Sequence, residues 1–316
     1  TLRLYDGDEP GRCCSLEEVE DARAAAHRLG IDFYVFNFTD LFRREVMDPF
    51  AADYRRGRTP NPCVQCNRRV KFDALLRRAD IDYIATGHYA RVDRAGDRWR
   101  LLRGLDRRKD QSYVLYPLTQ RQLSRLLLPV GRYEKAAVRA LAAERELLNA
   151  AKPDSQDICF VPDGDYPAFL RRWDGTESAP GDFVDAAGNV LGRHLGLERY
   201  TTGQRRGLGV SADRPLYVVS KDLAANRVVL GDEEDLYSRT VWAEGFHWVS
   251  LAPGPMAVTA KTRYSQTEAA AWLYPEADGL VRAVFDQPQR AVTPGQSLVA
   301  YVGDVLAGGG VICRAE

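Results

Sequence analysis

The sequence predicts an α/β domain built on a parallel sheet, followed by a β-rich tail. Two observations carry this. Over residues 1–160, helix-like segments alternate with short apolar, strand-like ones, the pattern of a parallel sheet covered on both faces. After about residue 163, Gly, Pro and Asp become frequent and β-branched residues come in short runs. The chain has 316 residues, 45% of them hydrophobic and 28% charged, enough for two or three domains with a sizeable core. Breaks near 163 and 234 give three segments, 1–162, 163–233 and 234–316.

Residues 15–29 read as a helix, with Ser15 as N-cap, Glu17 and Glu18 in the first turn, and Gly30 as the stop. Residues 31–36 read as a strand, and 41–54 as a helix bent at Pro49. A loop with Gly57, Pro60 and Pro62 leads into a helix over 67–79. A short buried strand over 83–85 ends at Thr86-Gly87-His88, at the carboxyl end where such sheets bind ligands. Residues 120–128 and 134–147 are helical in pattern. In the tail, 216–219, 227–230, 256–262, 280–285 and 297–302 read as strands. Gly188-Asn189, Gly231-Asp232 and Gly303-Asp304 are turn signals between them, so the tail suits one barrel or two small β-domains.

Lys plus Arg is 44 and Asp plus Glu is 44, which excludes a polycation that holds nucleic acid by bulk charge. A nucleic-acid partner then needs local basic patches. No apolar run approaches the ~20 residues of a membrane span, and residues 1–6 lack a signal-peptide pattern, so a cytoplasmic protein with no membrane partner is expected. Six cysteines are too few for a disulfide scaffold; in a reducing compartment a close pair points to catalysis, redox chemistry or a metal.

The sharpest motif is residues 57–67, Gly-Arg-Thr-Pro-Asn-Pro-Cys-Val-Gln-Cys-Asn. It sets Cys63 and Cys66 where a helix begins, and a helix N-terminus favours the thiolate. Arg58, Arg68, Arg69 and Lys71 add positive charge. Half a zinc site is the competing reading, but no second Cys-x-x-Cys completes it; adjacent Cys13 and Cys14 are the nearest substitute. Cys159 ends a polar, turn-rich stretch, and Cys313 reads as core packing. Lys109-Asp110-Gln111-Ser112-Tyr113, residues 203–209 and Lys261-Thr262-Arg263-Tyr264 are three basic spots. Each fits a patch that touches RNA, or equally a solvated face.

Taken together in order, 57–71, Ala85-Thr86-Gly87-His88-Tyr89-Ala90, 109–113, 154–160, 200–209 and Thr293-Pro294-Gly295-Gln296 resemble the tRNA-specific 2-thiouridylase family over nearly the whole chain. The resemblance implies an ATP-pyrophosphatase (HUP-like) domain, a small central β-domain and a C-terminal β-barrel. It implies ATP, with Mg2+, adenylating the wobble uridine 2-carbonyl of tRNAs for Glu, Gln and Lys. Sulfur then comes from a persulfide on Cys159, with Cys66 closing a disulfide to Cys159. A cysteine desulfurase or a sulfur-relay protein would supply that sulfur.

By the same resemblance Asn61, Pro62 and Cys63 touch the target base, and Leu2 and Gly87 the nucleotide. Lys109, Asp110 and Gln111, with Arg263 and Tyr264, touch tRNA. Many members carry Asp where this chain has Cys63, so that acid–base role is open here. Cys63, Cys66 and Cys159 also make up a three-thiolate set for a [4Fe–4S] cluster, kept as an alternative. The family's phosphate loop, Ser-Gly-Gly-x-Asp-Ser-Ser, is not among the 316 residues. Residues 1–5 read as the second strand of the sheet, and the chain alone is expected not to adenylate RNA. A non-catalytic tRNA-binding homologue, and a redox or zinc protein without RNA, are the other readings.

Overall fold

The computed structural model describes residues 1–5, 16–78, 81–147, 150–151, 158–161, 163–176 and 178–316. They fall into two units, Thr1–Pro49 with Pro62–Asp165, and Phe50–Asn61 with Tyr166–Glu316. Among the described residues no helix is long and apolar enough to cross a membrane.

In the first unit, β1 (Leu2–Arg3) pairs in parallel with β2 (Phe36–Asn37), and β3 (Ile84–Ala85) with β6 (Leu126–Leu127). The parallel pairing is as expected, but among the described residues it comes as two separate two-stranded pieces. The strand expected over 31–36 shrinks to its end because its apolar members lack cover: Ile31 is 60% and Tyr34 64% exposed.

Helix α1 (Leu16–Leu29) ends in a Schellman cap. Gly30 takes φ 64°, its N–H donates to His27 O, and that of Ile31 donates to Ala26 O. Ser15, the expected N-cap, lies outside the described residues, as do Cys13, Cys14 and residues 152–157. Next come α2 (Thr39–Phe42), a π-helical turn (Arg43–Met47) and α3 (Asp48–Arg55). Asp48 N–H reaches back five residues to Arg43 O, immediately before Pro49. Proline disturbs the helical ladder one turn upstream, and a π register is one way to absorb that.

The thiol-bearing helix is α4 (Pro62–Gln65), a π-helical stretch (Cys66–Ala74) and α5 (Leu75–Arg78). It starts at Pro62 rather than at the expected Asn67. Proline suits the first helical position, where its missing N–H is no loss. Val70 and Phe72 are fully or nearly fully buried, and they hold its inner face.

An antiparallel hairpin, β4 (Ala90–Ala95) and β5 (Arg98–Arg103), was not expected; its many arginines hide the strand period. Helix α6 (Gln120–Leu123) starts in a capping box between Thr119 and Gln122, then stops. The helix expected to reach 128 therefore gives way to β6, whose Leu126 is buried beside β3. Helix α7 (Lys135–Glu144) lies inside the expected 134–147.

The second unit contains α8 (Tyr166–Asp174) and a four-stranded sheet in the order β8-β7-β10-β9. Its strands are β7 (Gly181–Val184), β8 (Val190–His194), β9 (Tyr217–Asp222) and β10 (Arg227–Gly231). Phe183, Tyr200, Val218, Val228 and Leu230 form its core.

A six-stranded antiparallel barrel follows: β11 (Tyr237–Trp248), β12 (Met256–Lys261), β13 (Ala269–Pro275), β14 (Val281–Arg290), β15 (Ser297–Val302) and β16 (Val305–Ala315). The order β11-β14-β13-β12-β15-β16 closes through β11–β16 pairing, which leaves these strands no open edge among themselves. Phe285, Leu273, Leu298 and Ile312 fill it at 0% exposure; truncating Phe285 to Ala would cost about 3–5 kcal/mol.

Candidate functional site

The three thiols singled out from sequence all lie in the first unit. Cys63 is exposed on α4, one turn before Cys66, which is 7% exposed at the start of the π-helical stretch. Cys159 is half-buried, and the next ring, Phe160, packs edge-on against Phe42 at 5.7 Å. All three stand as thiols. Cys313 points its Sγ at Trp242 O, 3.4 Å away, and burial raises its pKa; it is a packing residue, as expected.

Asn67, directly after Cys66, is 2% exposed and donates from Nδ2 to Val114 O at 3.2 Å. That bond pins the thiol helix to the 3-10 turn Ser112–Leu115. Among the described residues no three His, Cys, Asp or Glu side chains are grouped to hold a metal ion. The Cys63–Cys66–Cys159 set is not gathered as a ligand group in this structure.

Gly87 follows β3 on an exposed turn, and a β-carbon there would meet no atom within 4 Å. Leu2, on β1, is half-buried opposite Phe36. The turn around Gly87 is firmly held. Thr86 Oγ1 sits 2.9 Å from His88 Nδ1, and the His88 ring lies 5.9 Å from that of Phe72. Burial, helped by the charge of Lys71, pushes the His88 pKa down to about 3, so the imidazole is neutral.

Gln111 straps the same turn: its Oε1 accepts from Tyr89 N at 3.0 Å and its N–H donates to Tyr89 O at 2.9 Å. Asp110 accepts from Gly104 N and Ser112 N through Oδ1, and from Ser112 Oγ through Oδ2. Of Lys109, Asp110 and Gln111, the last two thus use their acceptors to fix backbone. Spacing along the chain gave no hint of this link between the two motifs.

In the second unit, residues 57–61 form a loop held at several points. Arg55 grips Asp174 with two nitrogens, 2.8 and 3.2 Å, and holds that carboxyl below its usual range. Arg58 Nη1 pairs with Glu244 at 2.9 Å, so its charge serves the barrel rather than a thiol. Thr59 N–H donates to Pro294 O at 2.9 Å, and Gln296 Nε2 donates to Thr59 O at 2.7 Å. Gly295 sits between them at φ 93°, where a β-carbon would lie 2.8 Å from Thr59 N. The Thr293-Pro294-Gly295-Gln296 motif is therefore the seat of the loop that ends in Asn61.

Arg263 is half-buried and sends Nη2 to Ala291 O and Thr293 Oγ1 at 2.5 Å each, and to Thr202 O at 3.1 Å. Tyr264 beside it is 41% exposed. Sequence reasoning named Arg68 and Arg69 only as charge beside the thiols and missed the basic feature they belong to. It is a cleft on the thiol helix that includes Arg68, Arg69 and Arg121. The separation of 69 and 121 along the chain hides it.

Three family models match the chain in succession. They are a tRNA methyl transferase HUP domain over residues 2–163, a tRNA methyl transferase PRC-barrel domain over 168–232, and an aminomethyltransferase beta-barrel domain over 238–312. The tRNA-specific 2-thiouridylase MnmA of Acetivibrio thermocellus is 51% identical over 99% of this chain and 90% of its own. Those of Carboxydothermus hydrogenoformans and Moorella thermoacetica are each 49% identical over 99% of this chain, covering 89% and 91% of their own lengths.

Proposed function

The chain belongs to the tRNA-specific 2-thiouridylase family, and on that premise we propose that it replaces the 2-carbonyl oxygen of the wobble uridine in tRNA with sulfur, at the expense of ATP. The domain models speak of methyl transfer and the relatives' names of thiolation. The observation that favours sulfur is a thiol pair on separate segments, Cys66 on the helix and Cys159 beside Phe160. A sulfur relay needs two thiols, one to carry and one to release.

The chemistry balances as follows. The uridine O2 attacks the α-phosphate of ATP and pyrophosphate leaves, so a poor leaving group becomes AMP. The terminal sulfur of a Cys159 persulfide adds to C2 and AMP departs. The Cys66 thiolate then attacks Cys159 Sγ; the electron pair of the broken S–S bond leaves on the 2-thiouridine, and a Cys66–Cys159 disulfide remains. An external thiol resets it. Asn61, Pro62 and Cys63 would meet the target base, Leu2 and Gly87 the nucleotide, and Lys109 and Tyr264 the tRNA. Asp110, Gln111 and Arg263 would act by holding those segments in place.

Several finer assignments belong to the same reading. These include tRNAs for Glu, Gln and Lys as substrates, a cysteine desulfurase or relay protein as donor, Mg2+ with the ATP, a cytoplasmic site of action, and segments 1–162, 163–233 and 234–316 as the domains. The 316 residues hold no Ser-Gly-Gly-x-Asp-Ser-Ser loop. On this reading they bind tRNA but thiolate it only when a phosphate loop is supplied ahead of residue 1. The test is mobility of tRNA on a mercury gel after incubation with ATP and a persulfide donor. Retarded tRNA from the loop-bearing protein, and none from the 316 residues, is expected. No retardation from either, with tRNA still bound, would move the reading to a tRNA-binding homologue.

A further inference from the structure

A cleft of about 420 Å³ opens on the thiol helix where it meets α6. Arg68, Arg69 and Arg77 line it from the helix, and Arg121 from α6, with Asp73 and Leu76 between them. Arg77 pairs with Asp73 at 3.0 Å. Among the described residues the guanidiniums of Arg68, Arg69 and Arg121 meet no carboxylate, and all three residues are exposed. Among the described residues, four cations against one anion are thus gathered in a chain whose charges sum to zero.

The walls are fixed. The Thr119–Gln122 capping box sets α6, and Gln122 Nε2 reaches Arg68 O on the helix. Like charges held together on rigid walls repel one another until an anion lies among them.

We propose that this cleft receives the sugar–phosphate backbone of the RNA substrate, on the same helix as Cys63 and Cys66. The proposal rests on the tRNA reading above and adds to it a site that joins Arg68 and Arg69, which the sequence showed only as charge near the thiols, to Arg121, which no motif marked. Three features favour a phosphodiester chain. The donors are guanidiniums, whose forks match phosphate oxygens. They are exposed and spread over two elements, which suits an extended polyanion better than one small enclosed ion. Among the described residues the lining has no aromatic ring on which a base could stack, so the contact is to the backbone and blind to sequence. Arg77 lies eleven residues past Cys66 on the same continuous helix.

The experiment measures binding of an unmodified tRNA transcript by fluorescence anisotropy, across a range of salt, with the full chain. The variants are Arg68→Gln, Arg121→Gln and the pair, with Arg193→Gln as a control for lost charge. Arg193 is exposed on β8 and paired with Asp182. Each cleft variant should bind about three- to tenfold more weakly at moderate salt, and its salt slope should shrink by about 0.7–0.9 per lost contact. A random-sequence RNA of equal length should lose as much. The control should match the parent, and thermal melts should coincide. Parent-like affinity and slope in the double variant would overturn the proposal while leaving tRNA binding intact. Such a result would also be seen if an acidic protein face were the occupant. A parent that binds no tRNA would instead overturn the thiouridylase reading itself.

Discussion

Arg263 and the arginines of the cleft are the same residue type in opposite circumstances. Arg263 gives Nη2 to Thr202 O, Ala291 O and Thr293 Oγ1, and so ties the central sheet's connecting loop to two barrel turns. Arg68, Arg69 and Arg121 stand exposed without a carboxylate among the described residues. A guanidinium engaged by carbonyls gives up roughly 1.5–3 kcal/mol per charged hydrogen bond to turn toward a phosphate. An exposed, unpaired one gives up little. A basic residue beside an aromatic, as at Arg263-Tyr264, reads in sequence as an RNA contact; the partners already around it decide whether its charge is on offer.

The largest effect should come from the thiols and should leave the arginines untouched. Cys66→Ala or Cys159→Ala is expected to cut thiolation at least about a thousandfold. Anisotropy should show tRNA affinity within twofold of the parent. Weakened binding in these variants would mean that the thiols belong to the RNA-holding surface, and the division drawn above would break.

Arg263→Ala comes next. It should lower stability by roughly 2–4 kcal/mol in urea unfolding, whereas Arg68→Gln should stay within about 0.5 kcal/mol. A stable Arg263→Ala protein that has lost tRNA would reverse the assignment of the two sites.

His88 extends the comparison to a third engaged side chain. Its folded pKa of about 3 lies below the ordinary 6.5, so the unfolded chain takes up the proton first. The contribution is complete above pH 6.5 and is lost as pH falls from there toward 3. The stability difference between the parent and His88→Gln should therefore shrink on acidification, by up to about 1.4 kcal/mol per pH unit. A difference that stays constant with pH would sink this reading.

The smallest effect is expected at the loop seat. Gln296→Ala removes one bond to Thr59 O and should cost about 1 kcal/mol. It should also speed hydrogen exchange at the Thr59 amide, which donates to Pro294 O. Unchanged exchange there would show that Gln296 does not hold the loop.

The sequence made the broad architecture legible because apolar periodicity and turn residues act locally. The Schellman end at Gly30 and the strands over 256–261 and 297–302 needed no tertiary information. It hid β4 and β5, where arginines occupy the positions that would show alternation, and β16, where a run of three glycines carries no side-chain pattern. β13 opens Ala-Ala-Ala and has a helix-former's start; pairing on both sides makes it a strand. At the site, the thiols and the Gly87 turn were legible as motifs. The seat of Thr59 on Pro294 and the strap from Gln111 to Tyr89 were not, because long-range hydrogen bonds leave no spacing to read. The three-thiolate metal set was an alternative raised by the resemblance, and among the described residues no three such side chains are grouped.

The central claim is sulfur transfer through Cys159 and Cys66. Its most direct test is to load the loop-bearing protein with a persulfide donor, alkylate it and read the cysteine peptides by mass spectrometry, before and after one turnover with ATP and tRNA. The account predicts one extra sulfur on the Cys159 peptide beforehand, and afterwards a Cys66–Cys159 disulfide together with 2-thiouridine in the tRNA. Thiolated tRNA with Cys159 never carrying the extra sulfur, or with no disulfide to Cys66, would contradict it.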